Sequence, residues 1–100
     1  MIVVAGTAKV KPEDREAATA AVRAMTAASL AEEGCREYRF AVSIDDPDVV
    51  HFFEEWESAE ALDLHFATPH MAAFTEAIGA VLDGSPVIDR FEVTGKRPLL

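Results

Sequence analysis

The sequence predicts an α+β fold of the ferredoxin-like βαββαβ kind, a four-stranded antiparallel sheet with its helices on one face. Three observations predict it. The chain opens on a short β-branched apolar stretch, a period-two alternation over residues 37–44 is followed by an aromatic stretch, and helix-forming segments separate these from a last apolar run.

Ile2 to Val10 is apolar and rich in β-branched residues, so it reads as the first strand. Pro12 then supplies the fixed φ of a first helical turn. From Glu13 to Glu33 the chain is alanine-rich. Ala18, Val22, Met25 and Ser29 recur at helical spacing there, while Glu13, Asp14 and Glu16 suit the positive helix start. Gly34 stands where a left-handed residue ends a helix. Tyr38, Phe40, Val42 and Ile44 alternate with Glu37, Arg39, Ala41 and Ser43, which predicts a strand with two unlike faces. Asp45-Asp46-Pro47-Asp48 is a turn by composition, and Val49 to Glu57 returns as the other half of a hairpin. Ser58 is placed to cap a helix from Ala59 to Phe66. Thr68-Pro69 repeats the start signal for a second helical piece ending near Leu82. Asp83-Gly84-Ser85-Pro86 breaks it, and Val87 to Thr94 reads as the last strand.

With 100 residues the chain has length for one core, so residues 1–100 are expected to form a single domain. A formal charge of -9 has the wrong sign for gripping a phosphate backbone, which argues against nucleic acid as a partner. No apolar run approaches membrane-spanning length, and the opening residues lack the basic start of a signal peptide. A cytoplasmic address is the expectation. Cys35 is the single cysteine, so it has neither a disulfide partner nor the companions of a zinc site. Glu54, Glu55 and Glu57 do not form a metal set, because strand neighbours point to opposite faces.

A sheet covered on one side should be polar on the other. Here the first strand is nearly all apolar, and the third carries Val49, Val50, Phe52, Phe53 and Trp56. Something must cover the second face, and a second copy in a symmetric homodimer is the economical occupant.

If the turn at 45–48 makes Ile44 and Val49 partners, Glu37 lies opposite Trp56, Arg39 opposite Glu54 and Ala41 opposite Phe52. That face has small, polar and aromatic groups suited to a pocket beneath the helices, and it leaves the bulkier set of Tyr38, Phe40, Val42, His51 and Phe53 on the other. A slip of one residue would exchange the faces of one strand. His70, Phe74 and Ile78 share a helix face at four-residue spacing, with His65, Phe66 and Met71 nearby.

Glu33-Gly34-Cys35-Arg36-Glu37-Tyr38, Phe53-Glu54-Glu55-Trp56-Glu57-Ser58 and the run from Glu60 to His70 together resemble the antibiotic biosynthesis monooxygenase domain family. The block Glu54-x-Trp56, Ala61-Leu62, His65 and Thr68-Pro69-His70 is the most specific part. The resemblance implies a dimeric α+β barrel. It also implies, as in several members, oxidation of quinols or polycyclic aromatic phenols and anthrones by O2 without metal or flavin. On that reading His65 is the catalytic base, since histidine exchanges protons near neutral pH, and Trp56 stacks on or hydrogen-bonds the substrate ring. Arg39, Phe52, Glu54, Phe66, His70, Met71 and Phe74 are the expected substrate-binding residues. Haem-degrading relatives use an Asn, Trp and His set, and this sequence contains no Asn. The same fold also hosts isomerases and small-molecule binders, which form the alternative reading.

Each of these residues has a plainer role as well. A strand tryptophan is ordinarily core area, helix-spaced Met71, Phe74 and Ile78 are core before they are substrate wall, and His51 suits an interface.

Overall fold

A computed structural model describes residues 1–100. Strand β1 (Ile2–Lys9) leads through a 3₁₀ turn at Pro12–Asp14 into helix α1 (Arg15–Leu30), and the hairpin β2 (Cys35–Val42) and β3 (Val49–Trp56) follows. Helices α2 (Ala59–Phe66) and α3 (Pro69–Gly79) precede β4 (Val87–Glu92). The four strands form one antiparallel sheet in the order β2-β3-β1-β4. No helix is long and apolar enough to cross a membrane.

The capping signals act as their chemistry requires. Ser58 Oγ accepts from the Ala61 N–H at 3.1 Å, and Thr68 Oγ1 accepts from the Met71 N–H at 3.2 Å. Two helices end earlier than expected. After Leu30 the Glu32 N–H donates to the Ser29 carbonyl and the Cys35 N–H to the Glu32 carbonyl, so residues 31–34 form a tight turn in place of a last helical turn. Gly34 closes that turn at φ 87°. After Gly79, Val81 leaves the helix to accept from the Lys11 N–H, and Leu82 bridges to Val10.

The hairpin register differs from the expected one. Val42 pairs with Val50, Phe40 with Phe52 and Tyr38 with Glu54. Pro47 has no N–H, and the Asp46 side chain accepts from the Asp48 N–H while its carbonyl accepts from Val49. The loop therefore closes with Ser43 N–H on the Val49 carbonyl, and Ile44 is left fully exposed. The one-residue slip exchanges the faces of β2. Tyr38 and Phe40, not Arg39 and Ala41, share the helix side with Phe52, Glu54 and Trp56.

The main core joins Ile2 and Val4 of β1, Met25 of α1, Tyr38 of β2, Trp56 of β3, and Ala61 and Leu62 of α2. Trp56 and Leu62 are completely enclosed. Truncating such a ring costs roughly 3–5 kcal/mol. Away from the helices, β4 is exposed at all six residues.

Candidate active site

Between the sheet and the helices lies a cavity of about 910 Å³, lined mostly by apolar side chains. Phe52 and Glu54 from β3, Tyr38 and Phe40 from β2, His65 and Phe66 from α2, and Met71 and Phe74 from α3 contribute to its wall. Val22 is only partly buried because it faces this space from α1. The volume lies within the roughly 300–1,000 Å³ typical of small-molecule sites.

His65 occupies the last turn of α2, and its side chain is 2% exposed. Its ring packs 4.4 Å from the Trp56 ring and 5.7 Å from that of Tyr38, centroid to centroid. The Thr68 hydroxyl, which caps α3, also donates to the His65 carbonyl at 2.7 Å, so one residue joins the two helices at the histidine. His65 Nδ1 lies 2.6 Å from Glu32 Oε2. A carboxylate oxygen accepts, so Nδ1 is the donor in this pair, and His65 Nε2 has no hydrogen-bond partner within the protein, in a side chain that borders the cavity. Glu32 went unrecognised in the sequence. It belongs to the turn after α1, and only the fold brings it to His65.

Glu54 has no strong donor other than Trp56. Burial pushes its carboxyl up from the ordinary 4.5 to about 7, the Trp56 N–H pulls it back, and the charge of Glu32 adds to the rise. The Trp56 Nε1–H donates to Glu54 Oε1 at 2.9 Å. Burial, reinforced by Glu54, raises the Tyr38 hydroxyl above the usual tyrosine range and keeps it a donor. The Cys35 thiol is pushed up to about 11, chiefly by burial, and stays protonated.

Among the residues expected at the site, His65, Phe52, Glu54, Phe66, Met71 and Phe74 come together around the cavity. Three are oriented otherwise than expected. Trp56 lies behind the wall, fully buried with its N–H committed to Glu54, so it supports the site instead of stacking a ligand. Arg39 is among the residues that border the cavity, but its guanidinium turns away, lying 5.1 Å over the Phe53 ring on the opposite sheet face and pairing with Glu37, not Glu54. His70 does not line the cavity. Its Nε2 is 2.7 Å from the same Glu32 oxygen that holds His65. Glu32, His65 and His70 are the set whose ligand atoms lie close enough to hold a metal ion, all within 4.8 Å of one another.

The family profile described as Antibiotic biosynthesis monooxygenase matches residues 1–77. The chain belongs to this family. An uncharacterized Synechocystis protein, sll1783, is 40% identical over 75 residues, 75% of this chain and 51% of that protein. The Mycobacterium tuberculosis protein named "Putative monooxygenase Rv0793" is 36% identical over 72 residues, 72% of this chain and 70% of its own. The Escherichia coli K12 protein named "Probable quinol monooxygenase YgiN" is 41% identical over 63 residues, 54% of this chain and 61% of that one. The chain thus spans about half the length of the Synechocystis relative. The solved structure of Rv0793 superposes with a TM-score of 0.89 at 27% identity, covering 97% of this chain and 98% of that one. The ferredoxin-like α+β fold of the monooxygenase family is therefore the fold of this chain.

Proposed function

We propose that this family member is a monooxygenase that oxidises a quinol or a polycyclic aromatic phenol or anthrone with O2, the substrate itself supplying the electrons. The observation that carries the reading is the Glu32–His65 pair, set in the wall of an aromatic and apolar cavity with Nδ1 engaged by the carboxylate. The quinol in the name of YgiN supports the substrate class.

For an anthrone the balance is as follows. His65 Nε2 takes a proton from the ring-activated CH2, and Glu32 stabilises the imidazolium by keeping its hydrogen bond to Nδ1. The resulting electron-rich anion gives two electron pairs in all to O2. One oxygen atom becomes the new C=O, and the other leaves as water with the two hydrogens of the former CH2. Glu54, near half-protonation at neutral pH, is the group in the wall able to return a proton to the departing oxygen. The apolar wall excludes water from the anion, and Phe52, Phe66, Met71 and Phe74 hold the flat ring.

The same two proton-transfer groups favour a second reading, an isomerase that moves a proton across the substrate. Assay with and without O2 separates the two, because isomerisation continues anaerobically. Oxygen uptake with a panel of hydroquinones and anthrones, in wild type and His65→Ala, tests the first.

A cytoplasmic homodimer is part of this proposal. On the outer sheet face Phe91, Val3 and Phe53 form a diagonal apolar strip, with Asp89 and Arg39 toward the sheet edges and Glu55, paired with Lys96, directly beside Val3. Apolar side chains interspersed with charged ones occur at protein interfaces. A second copy would also cover β4.

A further inference from the structure

Two imidazoles and a carboxylate converge from three elements: Glu32 from the turn after α1, His65 from the end of α2 and His70 from the start of α3. These are nitrogen and oxygen donors of the kind that suits zinc and its first-row neighbours. Zinc–ligand bonds of about 2.0–2.2 Å place tetrahedral ligand atoms roughly 3.4 Å apart. His65 Nδ1 and His70 Nε2 now lie 2.6 and 2.7 Å from one carboxylate oxygen and within 4.8 Å of each other, so ligation asks the oxygen to withdraw by under about 1 Å from each nitrogen and the two rings to close on each other by about 1–1.5 Å. The side chains of Glu32 and His70 are 13% and 26% exposed, which gives an ion and a water ligand a way in.

We propose that Glu32, His65 and His70 bind one divalent transition-metal ion of the zinc type, with water in the fourth position. Neither Glu32 nor His70 lines the cavity, so the ion sits behind the His65 ring and away from the substrate.

Binding has a consequence that rests on His65 being the base. Without metal, His65 Nδ1 and His70 Nε2 each present an N–H to the carboxylate. The ion needs the lone pairs of those same nitrogens, so each ring moves its proton to its other nitrogen, with none gained or lost overall. His65 Nε2 then carries a proton and can no longer accept one from the substrate. The bound ion switches the base off.

The test uses the full, tag-free chain stripped with chelator. Calorimetric titration with Zn2+ and visible absorption with Co2+ should show one ion per chain. His70→Ala and Glu32→Gln, checked for fold by circular dichroism, should each weaken binding at least tenfold. His51→Ala, which changes the exposed histidine of the outer sheet face, should leave it intact. Absence of stoichiometric binding in wild type, or unchanged binding in folded His70→Ala, overturns the site. Saturating Zn2+ should abolish turnover. Stoichiometric binding with turnover unaffected would retain the site and refute the base role of His65, while absence of turnover in metal-free protein counts against the oxygenase reading alone.

Discussion

Glu32 Oε2 and His65 Nδ1 lie 2.6 Å apart although 33 residues separate them in the chain, and this contact makes Nδ1 the donor nitrogen of a ring that borders the cavity. Glu32→Gln should therefore lower kcat by roughly 10²–10⁴ with little change in KM, because the amide can donate to Nδ1 and turn the proton onto the wrong nitrogen. Glu32→Asp should recover part of the loss. A purely structural role would instead lower thermal stability and leave the activity of the folded fraction unchanged.

Glu54 carries a pH signature. Its folded-state pKa of about 7 lies above the ordinary 4.5, so the penalty for charging it in the apolar wall is absent at low pH and grows as pH rises through that interval. Glu54→Gln keeps an acceptor for the Trp56 N–H and cannot charge. Relative to this variant, wild type should lose stability between about pH 5 and pH 8, by on the order of 3 kcal/mol. Parallel denaturation curves for the two proteins across that range would show that Glu54 stays solvated.

The order of elements and their caps was legible because those signals are local. Ser58, Thr68-Pro69 and the alternation of residues 37–44 act within a few residues of themselves. The face presented by β2 was not, since it turns on whether the loop closes at Ile44 or at Ser43, a choice made by Pro47 and the Asp46 side chain. Glu32 was hidden for a different reason. In an alanine-rich segment an acidic residue has the look of a solvated helix face, and only packing of α2 and α3 against the turn reveals its two histidine partners. Trp56 was placed on the correct face of β3, but burial depth is not written in strand periodicity.

The turn that carries Glu32 depends on Gly34. A methyl group there would sit 2.7 Å from the Ala61 side chain at a φ of 87°, which L-residues avoid. Gly34→Ala should destabilise the protein by about 1–3 kcal/mol and reduce activity by shifting Glu32. Thermal melts together with kcat check this, and a folded variant with both unchanged would show that the turn is not under constraint.

Thr68→Ala removes both the cap of α3 and the bond to the His65 carbonyl. Loss of about 1 kcal/mol is expected from the cap. A fall in kcat in the fully folded variant is expected as well, and would not follow from capping alone.

The exposed β4 and the Phe91–Val3–Phe53 strip predict a dimer at micromolar concentration by sedimentation. Phe53→Glu should shift it toward monomer. A wild-type monomer at that concentration would leave the strip without its proposed cover.

The most direct measurement is oxygen uptake by chelator-treated protein supplied with an anthrone or hydroquinone, in wild type and in His65→Ala of confirmed fold. The expected result is O2 consumption matched to substrate loss in wild type, falling at least a hundredfold in the variant. No uptake by wild type across the substrate panel, or uptake that survives loss of His65, would contradict cavity oxygenation driven by the Glu32–His65 pair.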